Sequence, residues 1–169
     1  MSPTMEGTAH FSRLLSREDA ARRCVIERLR GGVIVFTNGV FDILHRGHLE
    51  YLREARQLGT MLIVGLNSDD SVRRIKGSKR PLVSEEDRAM ALSALRFVDG
   101  VVLFDEDTPE VLIRTLNPHV LVKGGDYRAE DVVGYDHVTR NGGRVQILRL
   151  REGYSTSGFV RRITERFGG

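Results

Sequence analysis

Thr37-Asn38-Gly39-Val40-Phe41-Asp42-Ile43-Leu44-His45-Arg46-Gly47-His48 directly follows the apolar run Val33-Ile34-Val35-Phe36 and leads into a helical pattern. Strand, glycine-containing turn and helix start succeed one another, an order that suits a bound phosphate. Gly47 removes a side chain where the backbone has to approach an oxyanion. The N–H groups of the first helical turn face the same spot, and the helix dipole favours negative charge there. His45 and His48 are three residues apart around that turn, so both imidazoles can donate to one phosphate. Donors placed in this way stabilise charge that develops during phosphoryl transfer. Zinc is the rival use of two histidines, and no third ligand of suitable spacing accompanies them.

Outward from this stretch, strand and helix signals alternate. Val33 to Thr37 reads as a strand buried on both faces, followed by a helix from Gly47 to Leu58 that Gly59 ends. Upstream, Ser16 caps a helix to Arg30, with Ala20, Ala21, Cys24, Val25 and Leu29 as its apolar stripe. Further strands are expected from Met61 to Leu66, Val101 to Phe104, Val120 to Val122 and Val145 to Leu148. Further helices are expected from Ser84 to Phe97, Pro109 to Leu116 (capped by Thr108), Glu130 to Arg140 and Gly158 to Phe167. Val72 to Leu82 is polar and basic, is broken by Gly77 and Pro81, and reads as a mobile loop. Five short apolar strands on crossover-length connections imply an α/β single domain with a doubly wound, parallel, five-stranded sheet. Residues 1–15 read as a poorly ordered N-terminal extension and residues 16–169 as the domain.

The chain of 169 residues is long enough to bury a sizeable core, and 40% hydrophobic with 29% charged residues is ordinary for a soluble domain. Its apolar runs are strand-length and its N-terminus lacks an apolar signal region, so a cytoplasmic protein without membrane spans is expected. The net charge of +3 comes from 26 basic and 23 acidic residues that are dispersed along the chain. No basic block or basic-aromatic alternation speaks for nucleic acid, whereas a modest positive excess suits an anionic small molecule. Cys24 is alone, which leaves no disulfide or zinc-thiolate site and makes it a helix-face residue. His10, His119 and His137 carry no recognisable chemistry.

In a doubly wound sheet, ligands bind beyond the carboxyl ends of the strands. That rule collects Thr37 to His48, Asn67 to Arg80, Lys123 to Tyr127 and Gly153 to Ser157 on one edge. Lys76, Lys79 and Arg80 can clamp a polyphosphate, with a solvated charge run as the alternative. Arg88 lies in the following helix, where a surface salt bridge to Glu85 or Asp87 is its alternative role. Ser155, Thr156 and Ser157 can donate to phosphate at the last helix's start, or simply cap it. Neither Gly-x-Gly-x-x-Gly nor the P-loop pattern is present, which removes the main support for dehydrogenase and kinase readings.

Thr37, Gly39, Phe41, Asp42, His45, Gly47 and His48 meet in full the pattern Thr-x-Gly-x-Phe-Asp-x-x-His-x-Gly-His. The sequence thereby resembles the His-x-Gly-His nucleotidyltransferase family of cytidylyltransferases and pantetheine-phosphate adenylyltransferase. Leu121 to Tyr127 and Glu152 to Ser157 narrow the resemblance to heptose 1-phosphate adenylyltransferases, over nearly the whole chain from Leu14 to Ile163. Ser157 stands where a threonine is expected, with Gly158 after it; the hydroxyl is kept.

The resemblance implies a Rossmann-like nucleotidyltransferase fold and the conversion of ATP and D-glycero-D-manno-heptose 1-phosphate to ADP-heptose and pyrophosphate. The end product would be lipopolysaccharide inner core or another heptosylated glycan. The catalytic set it implies is His45, His48, Lys79 and Arg88. Nucleotide contacts would come from Thr37, Asn38, Gly39, Phe41, His45, Gly47, His48, Asn67, Lys76, Lys123, Gly124, Tyr154, Ser155, Thr156 and Ser157. Asp42 and Asp126 would contact the acceptor. Mg²⁺ is expected with ATP, carried on the phosphates without protein ligands. A homodimer or higher homo-oligomer is implied. The length leaves no room for the sugar kinase fused to this unit in many relatives, so a separate heptose kinase is expected upstream. Rival readings are transfer to another acceptor, such as glycerol 3-phosphate with CTP, and a non-catalytic nucleotide-binding module.

Overall fold

The computed structural model describes residues 13–151 and 153–168. Five parallel strands form one sheet: β1 (Ile34–Gly39), β2 (Met61–Asn67), β3 (Gly100–Phe104), β4 (Val120–Gly124) and β5 (Arg144–Leu148). Their order is β3-β2-β1-β4-β5, so the chain steps outward from β1 on one side and then returns to begin again on the other. Seven α-helices accompany the strands: α1 (Arg17–Leu29), α2 (Arg46–Arg56), α3 (Asp69–Lys76), α4 (Glu85–Ser93), α5 (Glu110–Leu116), α6 (Tyr135–Arg140) and α7 (Thr156–Phe167).

Strand side chains alternate between the two faces, and both faces are covered, which is why the strands read as unbroken apolar runs. On one face Ile34, Phe36, Ile63 and Leu121 pack with Ala20 and Cys24 of α1, Leu112, Ile113 and Leu116 of α5, and Val138 of α6. On the other, Val35, Leu62, Val64 and Val120 pack with Leu52 and Ala55 of α2 and Ala89 and Leu92 of α4. The result is the doubly wound three-layer sandwich expected from the alternating pattern.

Several expectations need correction. Residues 1–12 of the expected extension lie outside the described residues, but residues 13–15 belong to the body. The N–H of Leu15 donates to the Val101 carbonyl at 2.9 Å and that of Val101 to the Arg13 carbonyl at 2.7 Å, so this segment lengthens the sheet beside β3. The loop expected from Val72 to Leu82 is helical in its first part. Ser68 caps α3 by accepting from the Ser71 N–H at 3.1 Å, and Arg74 is tied to Asp105 and Asp107. Only Ser71 and Val72 of that helix are buried, too few to leave a periodic apolar signature. The single helix expected from Glu130 to Arg140 is a 3₁₀ turn (Ala129–Asp131) and α6, separated at Gly134, whose φ is +94°. Pro109, not Thr108, is the cap residue of α5, and it makes no side-chain capping bond.

Arg88 fixes how these elements meet at the sheet's carboxyl edge. It is not the surface residue paired with Glu85 or Asp87 that its helix suggests: it is 1% exposed. Its Nε donates to the Val83 carbonyl at 3.0 Å, and its Nη1 to the carbonyls of Val40 at 2.7 Å and Asn67 at 2.9 Å. Its Nη2 donates to the Asp69 carboxylate at 2.6 Å, which closes a buried ion pair. One guanidinium thus ties the loop after β1, the end of β2, the start of α3 and the approach to α4. Breaking a buried pair on one side costs about 3–5 kcal/mol. Arg88→Ala should therefore lose stability on that order in urea denaturation. Arg88→Lys should recover only part of it, because a compact ammonium cannot reach four divergent acceptors.

Candidate active site

β1 and β4 are neighbours for only two residue pairs, Val35 with Val120 and Phe36 with Leu121. Beyond them β1 continues along β2 through Gly39, and β4 continues along β5 through Gly124. The two strands therefore part at the point where the strand order reverses, which is where doubly wound sheets hold their ligands. A cleft of about 550 Å³ fills the gap, with Asn38, Gly39 and Phe41 on one wall and Lys123, Gly124 and Tyr127 on the other. A second chamber of about 240 Å³ lies beside it, lined by His45, Gly47, Arg151, Tyr154 and Ser155. His48, Lys76, Leu150, Thr156 and Ser157 line both.

Phe41 occupies the left-handed region at φ +48°, a conformation that costs an aromatic residue about 1–2 kcal/mol. Packing holds it there. Its ring meets the His48 ring edge-on at 5.1 Å. A Cβ on Gly39 would lie 2.9 Å from the Phe41 ring, so glycine is needed at the strand end. Gly47 is constrained in the same way: a Cβ there would lie 3.1 Å from both His45 Nδ1 and the Tyr154 Cβ. That crowding supplies a steric reason for glycine next to the expected one of leaving space for an anion.

The two histidines form one unit. His45 caps α2, its Nδ1 accepting from the His48 N–H at 3.3 Å, which leaves Nε2 as the protonated nitrogen able to donate outward. The imidazoles stack at 3.7 Å between ring centres, nearly parallel at 15°. Burial pushes the His48 pKa down to about 4; the adjacent His45 adds to the fall, the Ile43 carbonyl opposes it, and Lys76 lowers it a little further. Burial also lowers the His45 pKa. His48 is therefore neutral at physiological pH. Its Nδ1 is buried with no hydrogen-bonding partner among the described residues, a cost that functional sites tolerate. Across the gap, burial lowers the pKa of Lys123.

Of the residues singled out from sequence, Asn38, Gly39, Phe41, His45, Gly47, His48, Lys76, Lys123, Gly124, Tyr154, Ser155, Thr156 and Ser157 meet in the two chambers. Ser155 also caps α7, accepting from the Gly158 N–H at 3.0 Å. Asp42 lines the cleft, but its carboxylate is engaged: Oδ2 accepts from Arg80 at 2.8 Å, and Oδ1 from the N–H groups of Leu82 at 2.7 Å and Val83 at 3.0 Å. These donors hold its pKa below the usual range even though burial alone would raise it.

Others stand elsewhere. Lys79 is exposed and outside both chambers, while the neighbouring Arg80 bonds to Asp42. Thr37 is buried and bonded to the Tyr51 hydroxyl at 2.6 Å. Asn67 is buried against Ser71, and Arg88 is the pin described above. Asp126 is exposed and lines neither chamber. Arg80, named from sequence as a possible phosphate clamp, lines the larger chamber, as do Val40 and Tyr127 of the collected loops; the structure adds Tyr51, Leu150 and Arg151 to the walls. Tyr51 was readable as one helical turn beyond His48; Leu150 and Arg151 carried no signal beyond lying after the last strand.

The family model described as cytidylyltransferase-like matches residues 36–162, a span that holds both chambers. The chain belongs to the cytidylyltransferase-like family. Among curated proteins it is 53% identical to the bifunctional protein HldE of Syntrophotalea carbinolica over 92% of this chain and 32% of that protein. It is 55% identical to the same-named protein of Geobacter metallireducens over 84% of this chain and 29% of that one. The chain thus spans about a third of these relatives' length. A solved structure, the lipopolysaccharide core biosynthesis protein of Thermoplasma volcanium GSS1, superposes with a TM-score of 0.59 at 31% identity, covering 74% of this chain and all of that one.

In this cytidylyltransferase-like chain the depressed His48 pKa has a consequence for stability. As pH falls from 6.5 towards 4, the unfolded imidazole takes up a proton and the folded one does not. Stability is then lost in that window, by up to about 3 kcal/mol. Melting temperatures measured across it should fall less steeply for His48→Asn than for the natural chain; equal slopes would refute the assignment.

Proposed function

We propose that this chain transfers the adenylyl group of ATP to D-glycero-D-manno-heptose 1-phosphate, giving ADP-heptose and pyrophosphate. The observation that carries the reading is the meeting of His45, His48 and Lys76 at the strand-order reversal, in a chain about half identical to the named HldE proteins. The solved relative, a lipopolysaccharide core biosynthesis protein, supports a sugar-phosphate acceptor.

The acceptor is a phosphate monoester whose second pKa is about 6, so its attacking oxygen is largely ionised at neutral pH and needs no general base. A neutral His48 fits this chemistry. It donates an N–H to charge that develops around the α-phosphorus and removes no proton. His45 donates from Nε2 beside it. Lys76 lies against both chambers and neutralises phosphate charge. Thr156 and Ser157 offer hydroxyls at the start of α7, where the helix dipole favours an anion. Lys123, Gly124 and Tyr127 form the wall left for the nucleoside.

Mg²⁺ would enter on the triphosphate oxygens. The acid in the wall of the larger chamber, Asp42, already accepts from three donors, and no group of three His, Cys, Asp or Glu side chains arranged to hold a metal ion is found among the described residues. When bound there, Mg²⁺ would supply charge neutralisation at the leaving group. No helix among the described residues is long and apolar enough to cross a membrane. A cytoplasmic setting, a homodimer and a kinase reaction that supplies the sugar 1-phosphate complete the proposal, on the strength of the sequence resemblance.

A turnover screen pairing ATP and CTP with heptose 1-phosphate anomers and glycerol 3-phosphate, followed by pyrophosphate release, tests it. ATP with a heptose 1-phosphate should dominate, and a preference for CTP with glycerol 3-phosphate would overturn the substrate assignment. His48→Ala should lower kcat by about 10²-fold, with ATP affinity changed far less.

A further inference from the structure

Lys76 lines both chambers, but the two arginines of the walls are divided between them. Arg80 lines only the larger chamber and Arg151 only the smaller. Arg80 is fixed in place: one Nη1 donates to Asp42 at 2.8 Å, in an ion pair whose side chains are 20% and 5% exposed. Its Nε and Nη2 make no hydrogen bond among the described residues. A guanidinium held by one corner in a cleft wall, with no other hydrogen bond among the described residues, is prepared for a second, planar set of oxygens. Arg151 is held differently, by Glu50 at 3.1 Å and with its guanidinium 5.8 Å from the Tyr154 ring centre, next to the hydroxyls that open α7.

In-line transfer adds a directional constraint. The acceptor oxygen forms its bond to the α-phosphorus while the bond to the bridging oxygen breaks and its electron pair leaves on pyrophosphate. Nucleophile and leaving group must then stand on opposite sides of that phosphorus. His48 and Lys76, shared by both chambers, mark the position between them. The smaller chamber, which alone holds His45, Arg151 and Ser155, suits the leaving pyrophosphate. The acceptor then enters through the larger one.

We infer that Arg80, oriented by Asp42, binds the phosphate of the acceptor, and that Arg151 contacts the departing pyrophosphate from the opposite chamber. This rests on the proposed transferase reading. It reassigns the acceptor contact from Asp42 itself to the arginine that Asp42 holds.

Steady-state kinetics with each substrate varied tests the division. Arg80→Gln should raise KM for heptose 1-phosphate about tenfold or more while KM for ATP stays within about twofold. Run in reverse from ADP-heptose, the same variant should leave KM for pyrophosphate unchanged, whereas Arg151→Gln should raise it. Arg80→Lys keeps a cation facing Asp42 and should show a smaller rise in acceptor KM alone; it carries the test if Arg80→Gln does not fold. Parallel rises in acceptor and ATP KM, or an unmoved acceptor KM in the Arg80 variants, would overturn the inference while wild-type turnover leaves the transferase reading standing. Absence of wild-type turnover with any sugar 1-phosphate would bring down both.

Discussion

Four oxygens from four separate segments converge on the Arg88 guanidinium, and the carboxyl edge of the sheet is arranged around that convergence. A buried charge without partners would cost several kcal/mol, so the chain is driven to bring the Val40, Asn67 and Val83 carbonyls and the Asp69 carboxylate together. Doing so sets the direction in which the chain leaves β1 and β2. The loop after β1 carries Phe41 and Asp42 to the cleft, and α3 carries Lys76 there from the end of β2. The placement of the chemistry therefore depends on a residue that does not face the ligand.

A second Asp–Arg pair repeats the device one layer nearer the cleft. Asp42 gathers Arg80 and two backbone N–H groups, which fastens residues 80–83 to the loop after β1. A third set, Arg74 with Asp105 and Asp107, holds α3 against the segment after β3. That set is solvent-exposed and contributes little stability by itself. Graded burial makes sense of the three. The innermost fixes the strand ends, the middle one orients a cation, and the outermost steadies a short helix with little apolar surface of its own.

The sheet was legible in the sequence because strands buried on both faces leave unbroken apolar runs, and Val33-Ile34-Val35-Phe36 and Met61 to Leu66 do so plainly. The His45-Arg46-Gly47-His48 tetrad was legible because its spacing puts both imidazoles on one helical turn. Arg88 was not, since an arginine on a charged nine-residue helix looks the same in sequence whether it points to water or to the core. Lys79 and Arg80 show the same limit. They are adjacent, similar cations, and only the pull of Asp42, 38 residues away, decides which one turns inward. The helix α3 stayed hidden because two buried residues set no period. What sequence withheld was tertiary pairing of polar groups; what it displayed was apolar burial and local spacing.

The cleft holds two kinds of donor, neutral and cationic. Two imidazoles stacked at 3.7 Å cannot both carry charge without strong repulsion, and burial further disfavours the charged form. The stacked imidazoles are therefore neutral dipoles, while the cations Lys76, Arg80 and Arg151 share the chamber walls with them. This division follows the needs of a reaction between two anions. The cations lower the cost of bringing the anions together, and they act on both before any bond changes. The neutral N–H groups add little to that attraction. They strengthen as charge shifts on the α-phosphorus oxygens, so their effect falls on the transition state more than on binding. A pair of charged histidines would bind the polyphosphate more tightly at the same place and hold substrate and product alike, which lowers KM without raising kcat. The burial that depresses the His48 pKa thus separates binding from catalysis within a single cleft.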